Sequence, residues 1–322
     1  MSLSHYIIRR LIIAIPTLIG ITLFVFLLYY IIGGLHSNFL LAYGSWLSSL
    51  FSGKSQLVNT NVYKGSISNA ITMFLPNTLM LSIFAAVLIW FIGTFLGVFS
   101  ARHKDSAIDL TIKATSFYLY AAPIFILAIV LIIIFGVYLK ILPFSGEINP
   151  LLMVGVTWFS DGISYPTHVL LIDALIHGNF VIAWNAFLSL LLPAISLALA
   201  FIAGVIIMLR NSMISVLDKN FISAAKGKGL SDKQIIKVHA RRNAIFQPAT
   251  FFAYTISGLL SGEVVIETIF NYPGMGYFLT QSLINNQLIA VLDSVLIFGI
   301  IFVSATILLD IFYAVIDPRV RF

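Results

Sequence analysis

The sequence predicts an all-α, polytopic membrane protein with about six transmembrane helices, and three observations carry that prediction. The chain of 322 residues is 60% hydrophobic and 9% charged, with a mean hydropathy of +1.04. A soluble globule of that composition would leave far too much apolar surface in water. The apolar residues also fall into runs long enough to cross a hydrocarbon core of about 30 Å, which takes roughly 20 helical residues. Finally, all but three of the 18 Lys and Arg residues fall on one side of those runs, at the termini and in alternate connections. Cysteine is absent, so disulfides, thiolate metal ligands and thiol nucleophiles are excluded.

Taken in order, the first expected span covers residues 11–32. Arg9 and Arg10 precede it as in a signal peptide, but the apolar run is too long for an h-region and no small-residue cleavage site follows, so it reads as a retained anchor. An outer connection, 33–69, carries an amphipathic piece at Trp46. The second span, 71–100, contains Pro76 followed by Asn77, and a proline there frees backbone carbonyls that need new partners. Gly93 and Gly97 in the same span make a G-x-x-x-G step for close helix approach. Pro123 and Pro193 are expected kinks in the third span, 110–139, and the fourth, 187–209. Between these two lies a second outer connection, 140–184, with Trp158, Asp161, Tyr165, His168, Asp173, His177 and Trp184. Its aromatic residues read as an interfacial belt, and His168 and His177 as separate surface histidines.

The fifth span, 244–266, carries a second G-x-x-x-G step at Gly258 and Gly262. Glu263 and Glu267 stand four apart on one face at its outer end. A charge at mid-bilayer costs at least about 2.5 kcal/mol, so these carboxylates either line a path or bond a neighbouring helix. With Asn77 they are the candidate pathway residues. The sixth span, 289–316, ends near Asp310 and Asp317, which are expected to meet Arg or Lys.

The cations set the orientation. Arg9, Arg10, Arg102, Lys104, Lys113, Arg210, the cluster from Lys219 to Arg242, Arg319 and Arg321 share one side, against Lys54, Lys64 and Lys140 on the other. That asymmetry places both termini in the cytoplasm and explains the net charge of +6 without nucleic acid as a partner. The chain reads as one membrane domain over residues 1–322, with no internal repeat.

The polar stretch 218–243, between the fourth and fifth spans, is the most informative segment. Helix is expected to continue from the preceding span to about Lys228. Gly229 then supplies a left-handed stop, and Ser231 with Gln234 forms a capping box that starts the next helix. Such a helix, turn and helix at the membrane surface suits docking into a soluble partner.

Catalytic chemistry is not in evidence. Gly53-Lys54-Ser55 looks like the end of a phosphate-binding loop, but Ser48 stands where its first glycine is required and the flanks are not strand and helix. The six histidines form no H-E-x-x-H and no Ser/His/Asp set. Energy for any active transport must therefore enter from another polypeptide.

Taken together, the motifs resemble the permease subunit of the dipeptide/oligopeptide (and nickel) ATP-binding-cassette importers over nearly the whole chain. The matching pieces are Tyr6 to Leu11 with Ile15 to Leu18; Leu75-Pro76-Asn77-Thr78-Leu79; Ala122-Pro123-Ile124-Phe125; Ala224 to Ser231 with His239-Ala240 and Arg242-Asn243-Ala244; Val264 to Phe270; Pro273-Gly274-Met275-Gly276; and Asp317-Pro318-Arg319-Val320-Arg321. The resemblance implies that Ser223, Ala224, Ala225, Lys226, Gly227, Lys228, Gly229, Leu230 and Ser231 form a coupling helix and turn that fit a cleft on an ATPase. Ser223 stands where the family usually has an acidic residue, and Pro248 falls one position later than usual. Gly33-Gly34-Leu35-His36 replaces a Pro-Gly-Asp-Pro segment.

The expectation is then a non-catalytic subunit, in a bacterial or archaeal cell (inner) membrane, that binds no cofactor itself. Its implied partners are a homologous second permease, two ATPase subunits that use ATP and Mg, and an extracytoplasmic binding protein, with membrane lipid around them. Peptide is the expected cargo. Nickel or a metal chelate is the alternative within that class, and an ion-coupled secondary transporter the alternative outside it.

Overall fold

The computed structural model describes residues 3–33, 38–52, 57–160 and 163–316. In chain order it forms α1 (Leu3–Ile32), α2 (Phe39–Ser52), a hairpin of β1 (Leu57–Asn59) and β2 (Lys64–Ser66), α3 (Ile67–Arg102), α4 (Ala107–Ala121) and α5 (Ile124–Leu131), which continues as a π-helical stretch, Ile132–Tyr138. After a short hairpin of β3 (Phe159–Ser160) and β4 (Ile163–Ser164) come α6 (Leu170–Ile176), α7 (Phe180–Leu217), α8 (Asn220–Gly227), α9 (Asp232–Gln234), a π-helical turn at Ile235–Ala240, α10 (Arg241–Ala244), α11 (Phe246–Phe270), α12 (Met275–Ile284) and α13 (Leu288–Ile316). The protein is thus all-α, as its composition requires.

Among the described residues, α1, α3, α7 and α13 are each long and apolar enough to cross a membrane. The third expected span is broken rather than kinked. Pro123 disfavours helical geometry at the residue before it, and Ala122 is extended (φ −75°, ψ 131°). Helix α4 stops there, and the chain turns by 110° into α5 and its π-helical continuation. Pro16, Pro76 and Pro193, by contrast, lie inside continuous helices. Helix α11, 25 residues long, holds the place of the fifth expected span.

The chain divides into two compact units. One comprises Met1–Met80, Ser145–Ser189 and Glu263–Phe322. Within it α1 packs along α13, where a Cβ on Gly299 would lie 2.9 Å from Ile21, and Arg10 pairs with Asp310 at 3.0 Å. Phe26, Val25, Leu292 and Leu296 join α1 to α13, with Trp46 of α2 buried against the Phe26 ring at 5.4 Å. A second cluster, with Phe74 stacked on Phe278 at its centre, joins β1, α3, α12 and α13.

Rings of the expected aromatic belt make local contacts with the histidines. Trp158 stacks on His177 at 4.8 Å, and Tyr165 meets His168 edge-on. His177 bonds the Asp173 carbonyl and His168 the Ser164 carbonyl, so the two histidines are held separately. Trp184 remains exposed. Asp173 is buried and accepts from the Thr167 N–H (2.8 Å) and hydroxyl (2.7 Å). Glu147 accepts from the Leu170 N–H at 3.1 Å. Burial pushes the Glu147 carboxyl up to about 8, with the Leu170 bond opposing and the Asp173 charge adding to the rise.

The other unit comprises Leu81–Phe144 and Leu190–Gly262. The first G-x-x-x-G step works here as expected. A Cβ on Gly93 would lie 2.8 Å from Val205, and one on Gly97 3.0 Å from Leu209, so α3 and α7 approach more closely than larger residues allow. Gly258 is less constrained: a Cβ there would sit 3.5 Å from Phe201, ordinary contact.

Several features named from the sequence lie outside the described residues: Gly34-Leu35-His36, Gly53-Lys54-Ser55, Asp161, and the closing Asp317 to Arg321.

Candidate functional site

The segment after α7 is built from local rules. Contrary to the expected continuous helix to Lys228, α7 stops at Leu217. Lys219 then takes an extended conformation (φ −80°, ψ 148°) as the N-cap of a separate helix, α8. That break lets α8 take its own direction. Its far end is closed as a Schellman motif: the Leu230 N–H bonds the Ala225 carbonyl (3.3 Å), and the Gly229 N–H bonds the Lys226 carbonyl (2.9 Å). Gly229 sits at φ +80°, a backbone state that glycine adopts without the steric penalty of a Cβ.

The next helix starts as its sequence dictates. The Ser231 N–H donates to Gln234 Oε1 (3.0 Å), and the Gln234 N–H donates back to Ser231 Oγ (3.4 Å), a reciprocal capping box. Helix α9 then widens into the π-helical turn. Ile235 and Ala240 are both buried though five apart, a spacing that one wide turn brings to the same face.

The predicted docking residues divide in two. Ala225 is buried with Ile222 and Ile235, and Leu230 packs partly buried against them, so Ala225 and Leu230 hold the turn together rather than face a partner. Ser223, Ala224, Lys226, Gly227, Lys228, Gly229 and Ser231 are exposed. Phe221, also exposed, stands one turn before Ala224 on the same face of α8. The exposed surface is therefore a small-residue helical face bordered by an aromatic ring and lysines.

The candidate pathway residues Asn77, Glu263 and Glu267 are all buried. Glu267 Oε1 accepts from the Thr78 hydroxyl at 2.6 Å, and Oε2 from the Tyr277 N–H at 2.9 Å. Thr78 in turn accepts from the Met275 N–H (2.7 Å), and the Asn77 side chain donates to the Pro273 carbonyl (3.1 Å). Here, then, is the use of the polar pair after Pro76: α3 and α11 grip the 273–277 turn between them. The same contacts explain two glycines of Pro273-Gly274-Met275-Gly276. A Cβ on Gly274 would collide with the Glu267 carboxylate, and one on Gly276 would reach 2.5 Å from Val264 Cα. Glu267 is an anchor with both oxygens engaged. Sequence reasoning missed Thr78, though its place beside Asn77 on a proline-containing helix was the available sign. It also treated Arg210 only as a topology marker and passed over Asp109, whose role depends on a partner 101 residues away.

Comparison with known proteins follows this geometry. Residues 93–322, well over half of the chain, match the family model described as binding-protein-dependent transport system inner membrane component. A dipeptide transport system permease protein of Haemophilus influenzae is 36% identical over 252 residues, covering 78% of this chain and 72% of the relative. The dipeptide transport system permease protein of Escherichia coli strain K12 is 30% identical over 343 residues, covering 98% of each. An oligopeptide transport system permease protein of Bacillus subtilis is 28% identical over 347 residues, covering 99% of this chain and all of the relative. The apolar helices and these matches agree: the chain belongs to the binding-protein-dependent transport system inner membrane component family and is a non-catalytic, multi-pass permease subunit of an ATP-binding-cassette transporter.

Proposed function

We propose that this chain forms half of the translocation path of an ATP-driven peptide importer and is moved through α8 by a nucleotide-hydrolysing partner. The observation that carries the reading is the construction of α8. It is a separately capped helix whose inner face is buried and whose outer face, centred on Ala224 with Phe221 beside it, is exposed. Small side chains there admit close docking, and Lys226, Lys228 and Lys233 supply charge around it. The names of the relatives support peptide as cargo over nickel or a chelate. Of the two glutamates, Glu267 is committed to the 273–277 turn, while Glu263, the residue an ion-coupled mechanism would use, lies buried in α11.

In this reading a loaded extracytoplasmic binding protein docks on the outer connections, with both termini of the permease in the cytoplasm. Two ATPase subunits close on ATP and Mg, displace α8, and the spans reorient against a homologous second permease. The chain itself carries no cofactor. The turn after α8 must hold its shape for displacement to be transmitted. Gly229→Val places a β-branched side chain at φ +80°, at a cost of roughly 1–2 kcal/mol from the left-handed conformation alone. The expected result is membrane insertion intact, with ATP hydrolysis no longer matched by peptide uptake in reconstituted vesicles. Unchanged uptake per ATP would overturn the reading.

A further inference from the structure

A buried charge bonded by several partners lies near the α8 end of α7, and no part of the mechanism above uses it. Asp109, at the start of α4, is fully buried. Arg210 of α7 grips it with two bonds, Nε to Oδ1 at 2.7 Å and Nη2 to Oδ2 at 2.6 Å. The Ser100 hydroxyl, from the last turn of α3, donates to Oδ1 at 2.5 Å. The Asp105 N–H donates to Oδ2 at 3.0 Å, and Lys113 Nζ stands 3.6 Å from it. One carboxylate thus fastens the end of α3, the turn after it, the start of α4, and α7.

Its position along α7 matters. Arg210 stands about two turns before the helix ends at Leu217, and α8 begins at Asn220. Between them, Ser212 Oγ donates to the Ala244 carbonyl at 2.8 Å. That bond ties α7 to the leg of chain returning from α8 and α9. Ala101, Leu209, Met213, Ala240 and Ala244 fill the space between these ties. Both legs entering and leaving the α8 segment are therefore fixed to the same block, and the block is fixed to α3 and α4 through Asp109.

Stability alone is a poor reason for such a pair. Buried ion pairs are often replaceable by apolar residues without loss, because desolvating both charges offsets their attraction. What apolar packing does not supply is direction: a planar guanidinium bonded through two atoms resists both sliding and rotation, whereas apolar side chains can slip past one another. A pair that locks register belongs where force must pass without being dissipated.

We propose that Asp109 and Arg210 are positioning residues, forming a rigid clamp that carries displacement of α8 through α7 into α3 and α4. This rests on the reading of α8 as the coupling element. The clamp touches neither cargo nor nucleotide, and it acts only by keeping the block in register.

The test uses the assembled importer in vesicles, with peptide uptake and ATP hydrolysis measured together. Arg210→Lys keeps the charge but loses the fork. The double variant Asp109→Leu with Arg210→Met keeps the volume filled and removes both charges. Each is expected to lower uptake per ATP hydrolysed by roughly tenfold, within the range of coupling changes produced by residues remote from either site. The exchanged pair, Asp109→Arg with Arg210→Asp, is expected to recover part of that loss. Assembled variants with the wild-type ratio would overturn the clamp, as would failure of all of them to assemble, which would mark the pair as needed for folding alone. The unaltered importer separates the two ideas. If it shows no ATP-dependent peptide uptake, the coupling reading itself falls; if it transports and the variants match it, only the clamp falls.

Discussion

At the scale of single residues, Glu267 and Glu147 each accept hydrogen bonds from backbone N–H groups of other segments, and substitution tells such a holding role from a place in the pathway. Glu267 receives donors on both oxygens, and an amide has only one acceptor atom. Glu267→Gln should therefore leave the Tyr277 N–H or the Thr78 hydroxyl short of a partner, costing about 1–3 kcal/mol. A lowered thermal midpoint of the purified permease is expected. Lost transport at an unchanged midpoint would instead return Glu267 to the pathway. Glu147 gives a pH signature. Burial holds its carboxyl at about 8, against an ordinary 4.5, so the folded state favours the protonated acid. That contribution is full below about 4.5 and is lost as pH rises through about 8. Relative to Glu147→Gln, the wild-type thermal midpoint should fall across this window. Parallel profiles would show that Glu147 is not the buried acid described.

At the scale of elements, close approach and helix breaks do the work. Helices α3 and α7 meet through Gly93 and Gly97, and a large side chain there has nowhere to go. Gly93→Leu should destabilise by about 1–3 kcal/mol through overpacking, read as reduced yield of folded permease and a lower midpoint. An unchanged midpoint would mean that the two helices can separate freely at that point. The break at Ala122-Pro123 shows how far a residue rule can be pushed by its setting. The proline signalled an interruption, yet the same residue type at Pro76 and Pro193 leaves its helix continuous. A proline states that one N–H is missing and the preceding residue is crowded; whether the chain bends by a little or turns away depends on what packs beside it.

At the scale of the whole molecule, the absence of cysteine makes a direct test of the docking surface possible, because any introduced thiol is unique. Ala224 is exposed and Ala225 buried. A membrane-impermeant maleimide is expected to label Ala224→Cys from the cytoplasmic side and Ala225→Cys slowly or not at all. Bound ATPase should protect Ala224→Cys. Equal labelling of both positions with and without the ATPase would remove α8 from the interface.

The membrane class, the helical composition, the left-handed stop at Gly229 and the capping box at Ser231 were all legible in the order of the amino acids. Each depends on composition or on residues within one or two turns, where local sterics and hydrogen bonding act without long-range help. Packing between distant segments set which face of α8 is buried, that Ala225 faces inward while Ala224 does not, and that Glu267 anchors a turn. It also decided that Asp109 meets Arg210. A buried polar group takes its role from the partner that compensates its lost water, and when that partner lies a hundred residues away no local pattern names it.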